Sequence, residues 1–121
     1  MKTVYVLAAS DTNAAFPATV TVTAGTGDPA VSGNADLTKG AVSVTGAEAT
    51  DTIKVTAAEV SNGYVTVTVK GAGTTATATG TAAAVYTLVA GDLGSSLTVT
   101  VTSAQAGKTP VTNVYTITVN Q

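Results

Sequence analysis

Leu97-Thr98-Val99-Thr100-Val101-Thr102 alternates an aliphatic residue with a hydroxyl at every step, and Thr19-Val20-Thr21-Val22-Thr23 does the same. Successive side chains of a β-strand point to opposite faces. A period of two therefore places valine or leucine on a buried face and threonine on a wet one. The pattern recurs away from these stretches, in Tyr64-Val65-Thr66-Val67-Thr68-Val69 and in Thr75-Ala76-Thr77-Ala78-Thr79. A register slip of one residue would turn threonine into the core at most of these positions, so the alternation also pins the register.

Read along its length, the chain predicts about nine strands, over residues 3–9, 18–24, 40–45, 52–57, 64–70, 74–79, 85–89, 97–103 and 112–120. Turn-forming residues separate most of them. Examples are Gly25-Thr26-Gly27-Asp28-Pro29, Ser32-Gly33-Asn34, Ser61-Asn62-Gly63, Gly71-Ala72-Gly73, Gly91-Asp92-Leu93-Gly94 and Gly107-Lys108-Thr109-Pro110. Short strands with turn signals every 8–12 residues or so indicate a sandwich or barrel, and the spacing leaves no room for a long helix. The expected inward set is Val20, Val22, Val42, Val44, Ile53, Val55, Val65, Val67, Val69, Ala76, Ala78, Leu97, Val99, Val101, Tyr115, Ile117 and Val119. Tyr86 is expected inside and Tyr64 outside. Lys54 and Lys70 fall on outward positions, where they could guard sheet edges against pairing with other chains.

Composition bounds the rest. At 121 residues the chain is read as a single domain, 1–121. It contains no His, Cys, Arg or Trp, and its large apolar side chains are five Leu, two Ile, Phe16, Met1 and four Tyr. The core is therefore mostly Val and Ala. Charged residues make up 10% and the net charge is −2. The absence of arginine and of any basic cluster argues against nucleic-acid binding. Zero cysteine excludes disulfides and thiolate metal sites. Met1-Lys2-Thr3-Val4-Tyr5-Val6-Leu7-Ala8-Ala9-Ser10 imitates a signal peptide, but its apolar run is shorter than the usual 7–15 or so residues of such a signal, and residues 3–9 read as a strand. If Met1 is the native start, export by a standard signal is not expected. No segment has the length of a membrane-spanning helix.

The chain repeats itself weakly. Ile53-Lys54-Val55-Thr56-Ala57-Ala58-Glu59-Val60 precedes Tyr64-Val65-Thr66-Val67-Thr68-Val69. Tyr86-Thr87-Leu88-Val89-Ala90-Gly91-Asp92-Leu93 precedes Ser96-Leu97-Thr98-Val99-Thr100-Val101, about 33 residues later. The second copy, Tyr86-x-Leu88-x-x-x-Asp92-Leu93-Gly94-x-x-Leu97-x-Val99-x-Val101-Thr102, resembles the strand–corner–strand segment of bacterial and phage immunoglobulin-like (Big-type) repeats. The resemblance covers about 17 of the 121 residues. The cysteine pair and core tryptophan of antibody-type domains are absent. The resemblance implies an all-β, immunoglobulin-like antiparallel β-sandwich that serves as a spacer, display or adhesion module.

Chemical motifs are sparse. Without His or Cys there is no ordinary general base or thiol nucleophile, and no Gly-x-Ser-x-Gly elbow or phosphate-binding glycine loop occurs. No catalytic, cofactor-binding or metal residue is assigned, and no cofactor is expected. Asp11, Asn13, Asp28, Asn34 and Asp36 carry oxygen ligands in loops, but without the spacing of a calcium loop. Lys2, Asn113, Asn120, Glu48 and Glu59 supply the residue types of an isopeptide bond, for which the solvated-surface reading is preferred. The threonine rows would suit an ice-binding face only if flat, and sheets twist. A sugar-stacking platform would have to use a tyrosine, with Tyr64 the outward one.

The expectation is a non-enzymatic structural protein that builds or decorates a repetitive surface, foremost a phage virion, as a capsid-decoration or tail-associated component. Its partners would be other protein subunits, with no nucleic acid and no membrane insertion. The alternative is an adhesive or glycan-binding module of the bacterial cell surface, cut from a longer repeat protein.

Overall fold

A computed structural model of the protein describes residues 12–27, 29–33 and 35–121. The strand expected over residues 3–9 lies outside them. Nine strands run in chain order: β1 (Val20–Gly25), β2 (Ala30–Gly33), β3 (Val42–Thr45), β4 (Thr52–Ala57), β5 (Gly63–Lys70), β6 (Ala76–Thr79), β7 (Ala84–Thr87), β8 (Ser96–Gln105) and β9 (Val111–Val119). A single 3-10 turn at Ala90–Asp92 joins β7 to β8.

The strands form two sheets, one ordered β1-β4-β7 and the other β2-β3-β9-β8-β5-β6. All pairings are antiparallel except β3 with β9. The valine–threonine alternation accounts for the packing. Val20, Val22, Ile53, Val55 and Tyr86 of the smaller sheet are sealed against Val42, Val44, Val65, Val67, Val69, Leu97, Val99, Val101, Ile117 and Val119 of the larger. Burying each such aliphatic side chain contributes roughly 1.5–3 kcal/mol. The threonines opposite them line the outer face of the larger sheet and bond across strands. Thr66 pairs with Thr79, Thr68 with Thr77 and Thr102 with Thr112, at 3.4, 3.3 and 2.9 Å between hydroxyl oxygens.

The weak internal repeat acquires a structural meaning. Its two copies are two of the three places where the chain steps from the smaller sheet to the larger, β4 to β5 and β7 to β8, the third being β1 to β2. β4 lies antiparallel to β7, and β5 antiparallel to β8. The copies are thus two equivalent corners facing each other across a local pseudo-dyad.

Several expectations change. Residues 30–33 form β2, where Ser32-Gly33-Asn34 reads as a turn. β2 survives as an edge strand by pairing with β3 alone. Lys54 and Lys70 are outward but guard no edge, because β4 lies between β1 and β7, and β5 between β8 and β6. Tyr115, Ala76 and Ala78 are half-buried and pack on the margin of the core rather than inside it. Tyr115 lies on β9 ahead of the stretch, Ile117–Val119, that pairs with β3, so one side of its strand is left uncovered.

Candidate functional site

Among the described residues three carboxylates are buried, and each collects backbone N–H groups from a loop. Asp92, 1% exposed, closes the corner after β7. Its Oδ2 accepts the Tyr86 hydroxyl and the N–H of Val89, both at 2.9 Å, and its Oδ1 accepts the N–H of Ala72 at 2.8 Å. The Tyr86 oxygen in turn accepts the N–H of Gly73 at 2.6 Å. One carboxylate therefore ties the β5–β6 loop to the corner between the sheets. Gly71 makes room for it. A Cβ there would lie 2.5 Å from the Tyr86 hydroxyl and 2.6 Å from Asp92 Oδ1. Burial pushes the Tyr86 phenol above its usual value. The Gly73 N–H opposes that shift, and Asp92 adds to it.

Asp51 does the same at another loop, with Oδ1 accepting the N–H of Gly27 and Oδ2 that of Glu48, each at 2.9 Å. Asp36 Oδ1 accepts the N–H of Val20 and of Thr38, each at 3.0 Å, and the Thr38 hydroxyl at 2.8 Å. The Val20 N–H above all holds Asp36 below the ordinary carboxylate range. Burial opposes it, and Thr38 and Lys39 reinforce it. A carboxylate that accepts fixed backbone N–H groups from a loop acts as a clamp that holds the loop in place.

Other candidates from the sequence scatter. Asp11, Asp28, Asn34 and Lys2 lie outside the described residues. Asn13 forms a bridge to Thr109, well apart in the chain from Asp36. Among the described residues no three His, Cys, Asp or Glu side chains converge. Glu48, Glu59, Asn113 and Asn120 are all exposed. No helix among the described residues is long and apolar enough to cross a membrane.

Two surfaces remain. The first is at the end of the sandwich that carries the β4–β5, β6–β7 and β8–β9 turns. Tyr64 is 59% exposed there. A cleft lined by Glu59, Ser61, Asn62 and Thr81 opens on one side of it, and another lined by Ala104 and Gln105 on the other. The Gln105 amide is already engaged, accepting from Ala15 N–H and donating to the Ser61 carbonyl. Gly63 is required beside Tyr64, because a Cβ would run into the Ala104 carbonyl oxygen.

The second surface is the flank where β6 and β7 end their sheets. Among the described residues β7 pairs with β4 alone. Leu88 directs both its N–H and its C=O towards the β4 side, to Asp51 and Thr50. A strand's peptide groups alternate in direction, so Val85 and Thr87 present theirs to the open edge. Val85 is 47% and Val89 37% exposed. They line a cleft with Thr74, Thr75, Ala76 and Thr87, in which no side chain is charged. By contrast the outer edge of β1 is covered, since Ala35 and Leu37 bond to Val22 and Val20.

Sequence reading singled out Tyr86, Leu88, Asp92 and Leu97 as one motif, and all four are buried. It missed the Tyr86–Asp92 hydrogen bond and the open β7 edge. The signal for the edge was there. Val85 and Val89 are aliphatic at outward positions of a strand whose inward positions are already filled by Ala84, Tyr86 and Leu88. No protein-family model matches the chain, and neither a curated protein nor a solved structure matches it.

Proposed function

We propose that the protein is a non-enzymatic structural component that builds or decorates a repetitive surface through contacts between protein subunits, with the phage virion as its setting. The observation that carries this reading is the open flank. Among the described residues no strand pairs with the outward main-chain groups of Val85 and Thr87, Val85 and Val89 are exposed, and the cleft they line holds no charged side chain. Soluble β-proteins usually blunt an edge with lysine, proline or a covering loop, and here the outward lysines stand on interior strands. The partition of strands is consistent with an immunoglobulin-like sandwich. β4 and β7 in one sheet against β5, β8 and β9 in the other follows the immunoglobulin arrangement. Light scattering across a concentration series tests the reading. Species that grow above the 11.7 kDa chain mass support it, and a constant chain mass at every concentration refutes it.

A second reading, an adhesive module that binds glycans, is favoured by Tyr64. An exposed ring flanked by clefts that carry Glu59 and Asn62 offers an apolar platform beside polar groups. Titration with neutral oligosaccharides should then perturb Tyr64, and Tyr64→Ala should abolish the effect. An unchanged Tyr64 signal at saturating sugar refutes it.

A further inference from the structure

We propose that Tyr64 and the two clefts beside it bind an uncharged glycan of two or more sugars, with one pyranose stacked on the ring and its neighbours seated in the clefts. This rests on the second reading above and names its ligand class and the residues that receive it. The ring is bare for a reason of register. Tyr64 stands on the outer face of β5, in line with Thr66 and Thr68. Its partner across the strands on β8 is Ala104, too small to cover an aromatic ring. On the other side the chain turns back at Gly80, whose N–H donates to the Val65 carbonyl and where a Cβ would meet nothing. Further along the same face Thr66 and Thr68 each find a hydroxyl across the strand, on Thr79 and Thr77. Tyr64 has small residues on both sides instead.

The lining sets the chemistry of the ligand. The cleft towards β6 holds Glu59, Asn62 and Thr81, all exposed, and the cleft towards β8 holds Ala104 and Gln105. A pyranose has an apolar C–H face and a polar rim. Stacked on tyrosine, it buries the face and leaves its hydroxyls to the clefts. The Glu59 carboxylate accepts from sugar hydroxyls, and the Asn62 amide both donates and accepts. Glu59 is the one charged side chain among the described residues of either cleft, so it disfavours a sialic or uronic acid and tolerates a neutral hexose. The floor is fixed before any ligand arrives. The Gln105 amide bridges Ala15 and Ser61, and the Gly63 N–H donates to the Val60 carbonyl. A site held in this way loses less freedom on binding. Tyr64 lines both clefts, so a single sugar fills one of them and a longer chain engages both.

The test follows the NMR signals of Tyr64, Asn62 and Ala104 in the full-length protein. The probes are glucose, galactose, mannose and N-acetylglucosamine, each as the monosaccharide and the trisaccharide, added to about 10 mM, tenfold above the Kd of a millimolar site. One series should move all three signals, with the trisaccharide binding about fivefold or more tighter than its monosaccharide. Tyr64→Ala should abolish the response, whereas Tyr64→Phe keeps the ring and should hold the affinity within about threefold. A uronic acid trisaccharide should bind more weakly than the neutral one, and Glu59→Gln should narrow that gap. Thr98→Ala, on the same face but away from the clefts, should change nothing. A Tyr64-dependent site that takes the monosaccharide as tightly as the trisaccharide, or the uronic acid as tightly as the neutral sugar, overturns this assignment and leaves the adhesive reading standing. An unchanged Tyr64 signal with every probe overturns both.

Discussion

Replacing Asp92 by alanine should be among the most damaging single changes in the molecule, although no ion pair is lost. The carboxylate accepts from the Tyr86 hydroxyl, the Val89 N–H and the Ala72 N–H, all at 2.8–2.9 Å. Alanine leaves three donors without an acceptor at a position 1% exposed to solvent. An unsatisfied buried donor costs about 1–3 kcal/mol. Water can enter the space left by the carboxylate and relieve part of this, which brings the total to about 3–5 kcal/mol. Domains of this size are stable by only about 5–15 kcal/mol, so the melting temperature should fall by roughly 10–20 °C. Asp92→Asn keeps one acceptor oxygen and turns an NH2 towards the other donors, for about 1–3 kcal/mol. Tyr86→Phe removes the acceptor of Gly73 N–H and one donor to Asp92, for a similar cost. The decisive assay is a double-mutant cycle of Tyr86→Phe and Asp92→Asn by urea denaturation. The two residues share a bond, so the double mutant should lose about 1–2 kcal/mol less than the sum of the singles. Additivity within about 0.5 kcal/mol, or Asp92→Ala melting within about 3 °C of the parent, would refute the clamp.

Three further outcomes follow from the same geometry. Gly71→Ala drives a methyl to within 2.5 Å of the Tyr86 hydroxyl and 2.6 Å of a Leu97 methyl, and should cost about 1–3 kcal/mol in urea denaturation. Asp36, held below the ordinary carboxylate range mainly by the Val20 N–H, contributes its full stabilisation above that range and loses it as pH falls through the lower folded-state value. Asp36→Ala should therefore be less stable at neutral pH, with a flatter acid limb in a series of urea melts from neutral pH to about 2. Leu97→Ala empties a fully buried site between the sheets and should cost about 3 kcal/mol, whereas Thr98→Ala on the exposed face should stay within about 0.5 kcal/mol, both by thermal melting.

The strands and their facing were written in the sequence because a period of two is a local property. Val20, Val22, Ile53, Val55 and the Leu97–Val101 series need no knowledge of their neighbours to declare which side is buried. The Tyr86–Asp92 corner was legible as a motif because its residues lie within seven positions of one another. Its partners at Gly71, Ala72 and Gly73 were not, because the sandwich brings them there from the far side of β6. Sheet membership is a long-range choice as well. Nothing near Lys54 or Lys70 reveals whether their strands have one neighbour or two, so both lysines looked like edge guards until β4 and β5 were found inside their sheets. Tyr115 and Tyr86 occur in similar alternating strands, but Tyr86 packs in the core whereas Tyr115 precedes the stretch of β9 that β3 covers. By itself the sequence determined an all-β chain, its register and its valine core, since side-chain direction along a strand is fixed by local geometry. Which strand was left without a neighbour, and with it the surface on which the proposed assembly turns, was decided only by tertiary structure, since hydrogen-bond partners in a sheet come from distant parts of the chain.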